Sequence, residues 1–278
     1  MPFRDTPIWL LPNLLSLDAP LVALVWQAYV SNSFGVPLTW SARAALALAV
    51  WAVYIADRLL DASGISSGGE SSRHVFYRRH RRAMSILLTG VLTAGAADVW
   101  FLRPTLVRDG IETGGAVLVY LLLVHGRRLR LRAPKELAVA LLFTIGTVLA
   151  AWSRAARHAQ LAIAAAALFL PFWANIVAIE YFEWVRLRRR IAPPPHAITQ
   201  TYGGRFIRFS VLFLALCLAG VLVAGGGVAR IAAAAALALA GLVTLHRCRR
   251  HLRADTYRVL ADAALLSPVP LALCRRFF

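Results

Sequence analysis

The stretch AALALAVWAVYIADRLLD, residues 44–61, reads as a membrane-spanning helix that ends in an acidic pair. From Ala44 to Ala56 it carries no charge, and it then places Asp57 and Asp61 four residues apart. That spacing puts the two carboxylates about 40° apart around a helix and one turn apart along it. A carboxylate inside a bilayer costs roughly 2.5–3.5 kcal/mol on insertion scales. Two of them at one helix end therefore call for a functional explanation, and a divalent metal holding a phosphorylated ligand supplies one.

Composition extends the membrane reading to the whole chain. Hydrophobic residues make up 59% of the 278 residues and charged residues only 16%, against about 25% charged in an average globular protein. The apolar runs define about nine spans of a polytopic, all-α helical bundle, at 13–30, 42–61, 83–102, 112–126, 136–153, 160–182, 209–226, 229–246 and 256–274. There is no stretch for a soluble domain, so residues 1–278 read as one integral membrane domain. Residues 1–12 lack a charged segment followed by an apolar core and cleavage site, so no cleaved leader is expected.

The net charge of +18 would point to nucleic acid in a soluble protein. Here the basic residues lie between apolar spans, so topology and anionic lipid headgroups are the better reading, and no nucleic-acid partner is expected. The connections after the second, fourth, sixth and eighth spans hold 22 of the 31 basic residues. By the positive-inside rule those ends face the cytoplasm, with the N-terminus inside, as for a multi-pass protein of the inner (cytoplasmic) membrane. Two long connections on that side, 62–82 and 184–208, mix Arg with Phe76, Tyr77, Tyr202 and Phe206. They read either as lids over a site or as segments lying on the headgroups. Cys217, Cys248 and Cys274 show neither metal-ligand spacing nor pairing.

A second acidic pair, Glu180 and Glu183, closes the sixth span, with Asn175 before it. Residues three apart share a helix face, so two acidic clusters are expected at one depth on the cytoplasmic side. Mg²⁺ favours such oxygen ligands together with substrate phosphates, and Arg adds bidentate phosphate contacts. Ion pairing within the headgroup region, such as Asp57 with Arg58, is the competing reading.

The run Asp57-Arg58-Leu59-Leu60-Asp61 resembles the first aspartate-rich motif of the UbiA superfamily of intramembrane prenyltransferases, which reads Asn-Asp-x-x-Asp-Arg-x-x-Asp at the cytoplasmic end of the second of nine helices. Glu180-x-x-Glu183 falls where that family has its second acidic motif. The resemblance implies Mg²⁺-dependent transfer of a prenyl group from a polyprenyl diphosphate to a lipophilic, often aromatic, acceptor in the membrane. By position it makes Asp57, Asp61, Glu180 and Glu183 the metal ligands and catalytic set. Arg58, Arg127, Arg128 and Lys135 are the candidates for diphosphate contacts, on charge and side. Asp18, Trp26, Tyr54, Asn175 and Tyr181 are candidates for the acceptor or isoprenoid pocket. The chain departs from the family pattern at Val53-Tyr54, where the first motif opens on Asn-Asp, and at Val124, where a Tyr-x-x-x-Lys element starting at Tyr120 would have its lysine. The alternative function is an isoprenoid-lipid binder or membrane scaffold that transfers nothing.

Three further groups are expected to be structural. Asp255, Arg258 and Asp262 are spaced as an ion-pair ladder on one helix face. Asp98 and Glu112 read as outer-face interfacial acids. His74, His80, His125, His246 and His251 follow no metal spacing and read as solvated or lipid-facing.

Overall fold

The computed structural model describes residues 7–62, 72–125, 134–154, 158–188 and 194–274. Arg127 and Arg128, two of the diphosphate candidates, lie outside the described residues. The described chain is all-helical: α1 (Leu11–Leu14), α2 (Asp18–Ser33), α3 (Trp40–Asp61), α4 (Ser72–Arg79), α5 (Arg81–Asp98), α6 (Pro104–His125), α7 (Lys135–Trp152), α8 (His158–Glu183), α9 (Ala197–Gly204), α10 (Phe206–Val223), α11 (Gly226–Cys248), α12 (Ala254–Ala264) and α13 (Pro268–Cys274).

Among the described residues five helices are long and apolar enough to cross a membrane, and seven if two bent pairs each form one span. Two further helices, α3 and α6, have 22 residues each, about 33 Å at 1.5 Å per residue. Their charges set them apart: Arg43, Asp57, Arg58 and Asp61 in α3, and Arg108, Asp109 and Glu112 in α6.

Three expected spans differ in detail. The first is broken, with α1 and α2 meeting at 78°. Ser16 at this corner adopts a left-handed conformation with φ +59°, unusual for a residue with a side chain, and its hydroxyl is tied to Tyr77 Oη at 2.8 Å. The last span is also bent, by 42° between α12 and α13, where Pro268 cannot continue the hydrogen-bonded ladder. The fourth is longer than expected, because Pro104 at its first turn, where a missing N–H costs nothing, starts α6 eight residues earlier.

The core gathers α2, α7, α8, α11 and α12 around Trp26, Phe172, Leu168, Ile231, Leu239 and Tyr257. Small residues let these helices approach closely, which drives association where lipid removes the usual hydrophobic gain. Ala234, Ala235 and Ala238 of α11 are fully buried, and Gly241 faces Ala264 of α12. A second cluster packs α4 against α1, α3 and α5 through Phe76, Tyr77, Ile55 and Met84. The aromatics of both long connections are thus docked into the bundle: Phe76, Tyr77, Tyr202 and Phe206 are all buried.

Candidate functional site

The C-terminal ends of α3, α6 and α8, the N-terminal ends of α2 and α7, and the C-terminal half of α12 surround one cavity of about 200 Å³. Its polar lining includes Asp57, Asp61, Lys135 and Glu180, together with Asp18, Arg58, Asn175 and Asp262. Its apolar lining includes Val22, Val53, Val139, Phe143, Phe172 and Ile176. Carboxylates from α3 and α8, more than a hundred residues apart in sequence, therefore meet across a single space.

One polar group gathers at the helix ends. His125 Nε2, from the last residue of α6, lies 3.2 Å from Asp61 Oδ1 and 3.6 Å from Asp57 Oδ1. One ligand atom from each of these three residues lies within 4.8 Å of the others. Two carboxylates and an imidazole at that spacing match the donor types that divalent ions take. His125 was expected to face solvent or lipid, and the structure corrects this. Its sequence neighbours gave no spacing signal, but it closes α6, whose C-terminal end meets that of α3. On the adjoining wall Lys135 Nζ pairs with Glu180 Oε1 at 3.5 Å.

Glu183 does not reach the cavity lining. It is 3% exposed and pairs with Arg258 of α12 and with Arg73 of α4 at 3.9 Å. Three residues turn a helix by about 300°, some 60° short of a full turn. That offset aims Glu180 at the cavity and Glu183 at α12. Past Glu183 the chain widens into a π-helical turn, Trp184–Arg188.

Arg58 lines the cavity but is only 8% exposed. Its Nη1 donates to the Asn13 carbonyl at 2.7 Å, and its guanidinium lies over the rings of Tyr54 and Tyr77. Burial pushes the Tyr77 phenol up, so it remains a neutral partner for Ser16. Arg73 and Arg258 also line the cavity, two cations that sequence spacing did not assign to it.

A second polar group lies deeper. Asn13 Nδ2 donates to Asp18 Oδ2 at 2.6 Å and to Asp262 Oδ2 at 3.4 Å. Asn175 Nδ2 donates to Asp262 Oδ1 at 3.0 Å, and the Asp18 and Asp262 carboxyls share the Asn13 amide and sit side by side. Asp262 is therefore no rung of the expected ladder. Arg258 keeps the expected pairing with Asp255, at 3.5 Å, and takes Glu183 in place of Asp262.

Two pocket candidates belong to the packing. Trp26 is fully buried and donates from Nε1 to the Leu265 carbonyl at 2.7 Å. Tyr181 packs its ring against Gly203 of α9, where there is no room for a Cβ. Tyr54 and Asn175 do line the cavity, and so does Tyr120. His246, expected to be solvated, is buried beside Tyr257. Glu112 forms an exposed pair with Arg108 at 3.3 Å.

No protein-family model, curated protein or solved structure matches the chain.

Proposed function

We propose that this chain is an intramembrane prenyltransferase of the UbiA type, moving a prenyl group from a polyprenyl diphosphate to a lipophilic acceptor. The observation that carries this reading is the convergence of Asp57, Asp61 and Glu180 on one cavity whose lining sets these acids beside Arg58, Arg73 and Lys135 and adjoins an apolar wall that includes Val22, Val139, Phe143 and Phe172. Lys135 and Arg58 supply positive charge for a diphosphate, and Arg73 adds a third cation. The apolar lining accommodates an isoprenoid and excludes water from an allylic cation.

Asp57 and Asp61, with His125, would hold the divalent ion, and Glu180 would complete the acidic wall. When bound, Mg²⁺ neutralises charge that grows on the departing diphosphate. Glu183 is a structural acid in this scheme, holding Arg258 and Arg73 in place. Tyr54 and Phe143, in edge contact at 6.5 Å, offer ring faces to a developing cation.

Counting α3 and α6 with the seven apolar segments gives nine spans. On that count the N-terminus is cytoplasmic, and the site opens toward the Arg-rich cytoplasmic face of the inner membrane.

The test is binding of a panel of polyprenyl diphosphates to detergent-purified protein, with and without Mg²⁺. The wild type should bind in a Mg²⁺-dependent way, and Asp57→Asn and Glu180→Gln should lose that dependence. Binding indifferent to Mg²⁺ and to both substitutions would leave a lipid-binding protein and remove the transferase assignment.

A further inference from the structure

The deeper polar group has a composition that structural bonding alone leaves incomplete. It lies about 7.5 Å further along α8 than Glu180, since Asn175 precedes it by five residues. Asp18 and Asp262 accept from one and the same Asn13 amide nitrogen, at 2.6 Å and 3.4 Å, and two carboxyls gathered on a single donor in a buried site repel unless a proton stands between them. Neither makes an ion pair among the described residues, although Arg58, Arg73 and Arg258 share the cavity lining. Those guanidiniums are turned to other partners: Arg58 to the Asn13 carbonyl, Arg73 and Arg258 to Glu183. Their positive field still favours one negative charge on the pair over none.

The second observation concerns unmet acceptors. Asn175 is 2% exposed and lines the cavity, and its Oδ1 has no hydrogen-bond partner among the described residues. The same holds for Asp18 Oδ1. Buried acceptors without donors are costly and mark a place where a donor belongs. A cavity that presents such acceptors beside a carboxyl pair calls for a ligand bearing an O–H.

We propose that Asp18 and Asp262 are the cavity's proton acceptor, a one-proton carboxyl pair, clasped by Asn13 and Asn175, that receives a hydroxyl- or enol-bearing acceptor and takes its proton. This rests on the prenyl-transfer reading. In the step, the bond from the prenyl C1 to the diphosphate oxygen breaks and its electron pair leaves on the diphosphate. An electron pair of the acceptor forms the new bond to C1. The proton the acceptor gives up passes to the carboxyl pair, which goes from one shared proton to two and later releases one. Asp57 and Asp61 manage the leaving group, and the deeper pair manages the nucleophile.

Infrared spectroscopy of the detergent-purified full chain at neutral pH tests this without turnover. The wild type should show a protonated carboxyl C=O band that moves in D₂O. The band should disappear in Asp18→Asn and in Asp262→Asn and persist in Asp57→Asn, so one surviving deep-pair variant suffices if the other fails to fold. Added phenol should shift the band, and anisole, the same ring without the O–H, should not. A band absent from the wild type, retained in the deep-pair variants, or indifferent to phenol would overturn the proposal. Mg²⁺-dependent binding of geranylgeranyl diphosphate, measured on the same samples, should stay within about threefold of wild type in Asp262→Asn. A wild type that shows the band but fails to bind that diphosphate would strip the pair of its part in transfer and fault the prenyl-transfer reading itself.

Discussion

The two acidic pairs begin alike in sequence and end in opposite circumstances. Asp57 and Asp61 both line the cavity, about half-open, and share His125. Glu180 and Glu183 part company: one faces Lys135 across the cavity, the other is sealed against two arginines. The difference is one residue of spacing. Four residues return a helix nearly to the same face, and three leave it 60° short. In a bundle with a neighbour as close as α12, that angle separates a ligand-facing carboxylate from one committed to the fold.

The contrast can be broken most directly at Glu183. Glu183→Ala leaves the buried Arg258 with only the more exposed Asp255 at 3.5 Å as counter-charge, and breaking a buried ion pair costs about 3–5 kcal/mol. Thermal unfolding in detergent should show this loss, whereas Glu180→Gln, at a half-exposed pair, should cost under about 1 kcal/mol. Equal losses at the two positions would erase the distinction. The double replacement Glu183→Leu with Arg258→Met should recover most of the stability, because an apolar substitute needs no counter-charge.

Next in size is Gly203→Ala, which drives a Cβ into the Tyr181 ring. Overpacking of this kind costs about 1–3 kcal/mol. Combining it with Tyr181→Ala should give less than the sum of the two losses, as a double-mutant cycle on the same unfolding assay would reveal. Trp26→Phe, which shrinks a fully buried ring and loses one hydrogen bond, should cost about 1–2 kcal/mol in the same unfolding assay. Ligand-side effects follow. His125→Ala should weaken Mn²⁺ binding, read by paramagnetic resonance, about tenfold, near 1.4 kcal/mol, with little change in melting temperature. Unchanged Mn²⁺ affinity would separate His125 from the acids it contacts.

Much of the fold is legible in the sequence, since charge-free runs such as residues 44–56 leave few alternatives to a membrane helix. The acidic convergence is legible as well, because alternate span ends must share a side. What the sequence conceals is what helical periodicity does not encode. His125 has no spaced partner in its own segment, and its partners come from α3. Asn13 and Asp262 are 249 residues apart, and only the 78° corner at Ser16 brings Asn13 over the end of α2. Trp26 and Tyr181 were plausible pocket residues by composition, but aromatic residues fill cores more often than they line cavities. Their neighbours, Leu265 and Gly203, come from helices that no local pattern links to them.

The hydrogen bonds that join Asn13 to Asp262 and Trp26 to Leu265 have a consequence for biogenesis. A ribosome that has delivered α2 through α11 to the insertion machinery has not yet delivered Arg258, Asp262 or Leu265. Until α12 arrives, Glu183 lacks Arg258, and the Asn13 amide lacks one of its two acceptors. From the arrival of α8 until that of α12, the nascent bundle therefore holds an acid and an amide short of partners they have in the finished fold. Seating of the last described helices is the event that converts an inserted chain into a closed one.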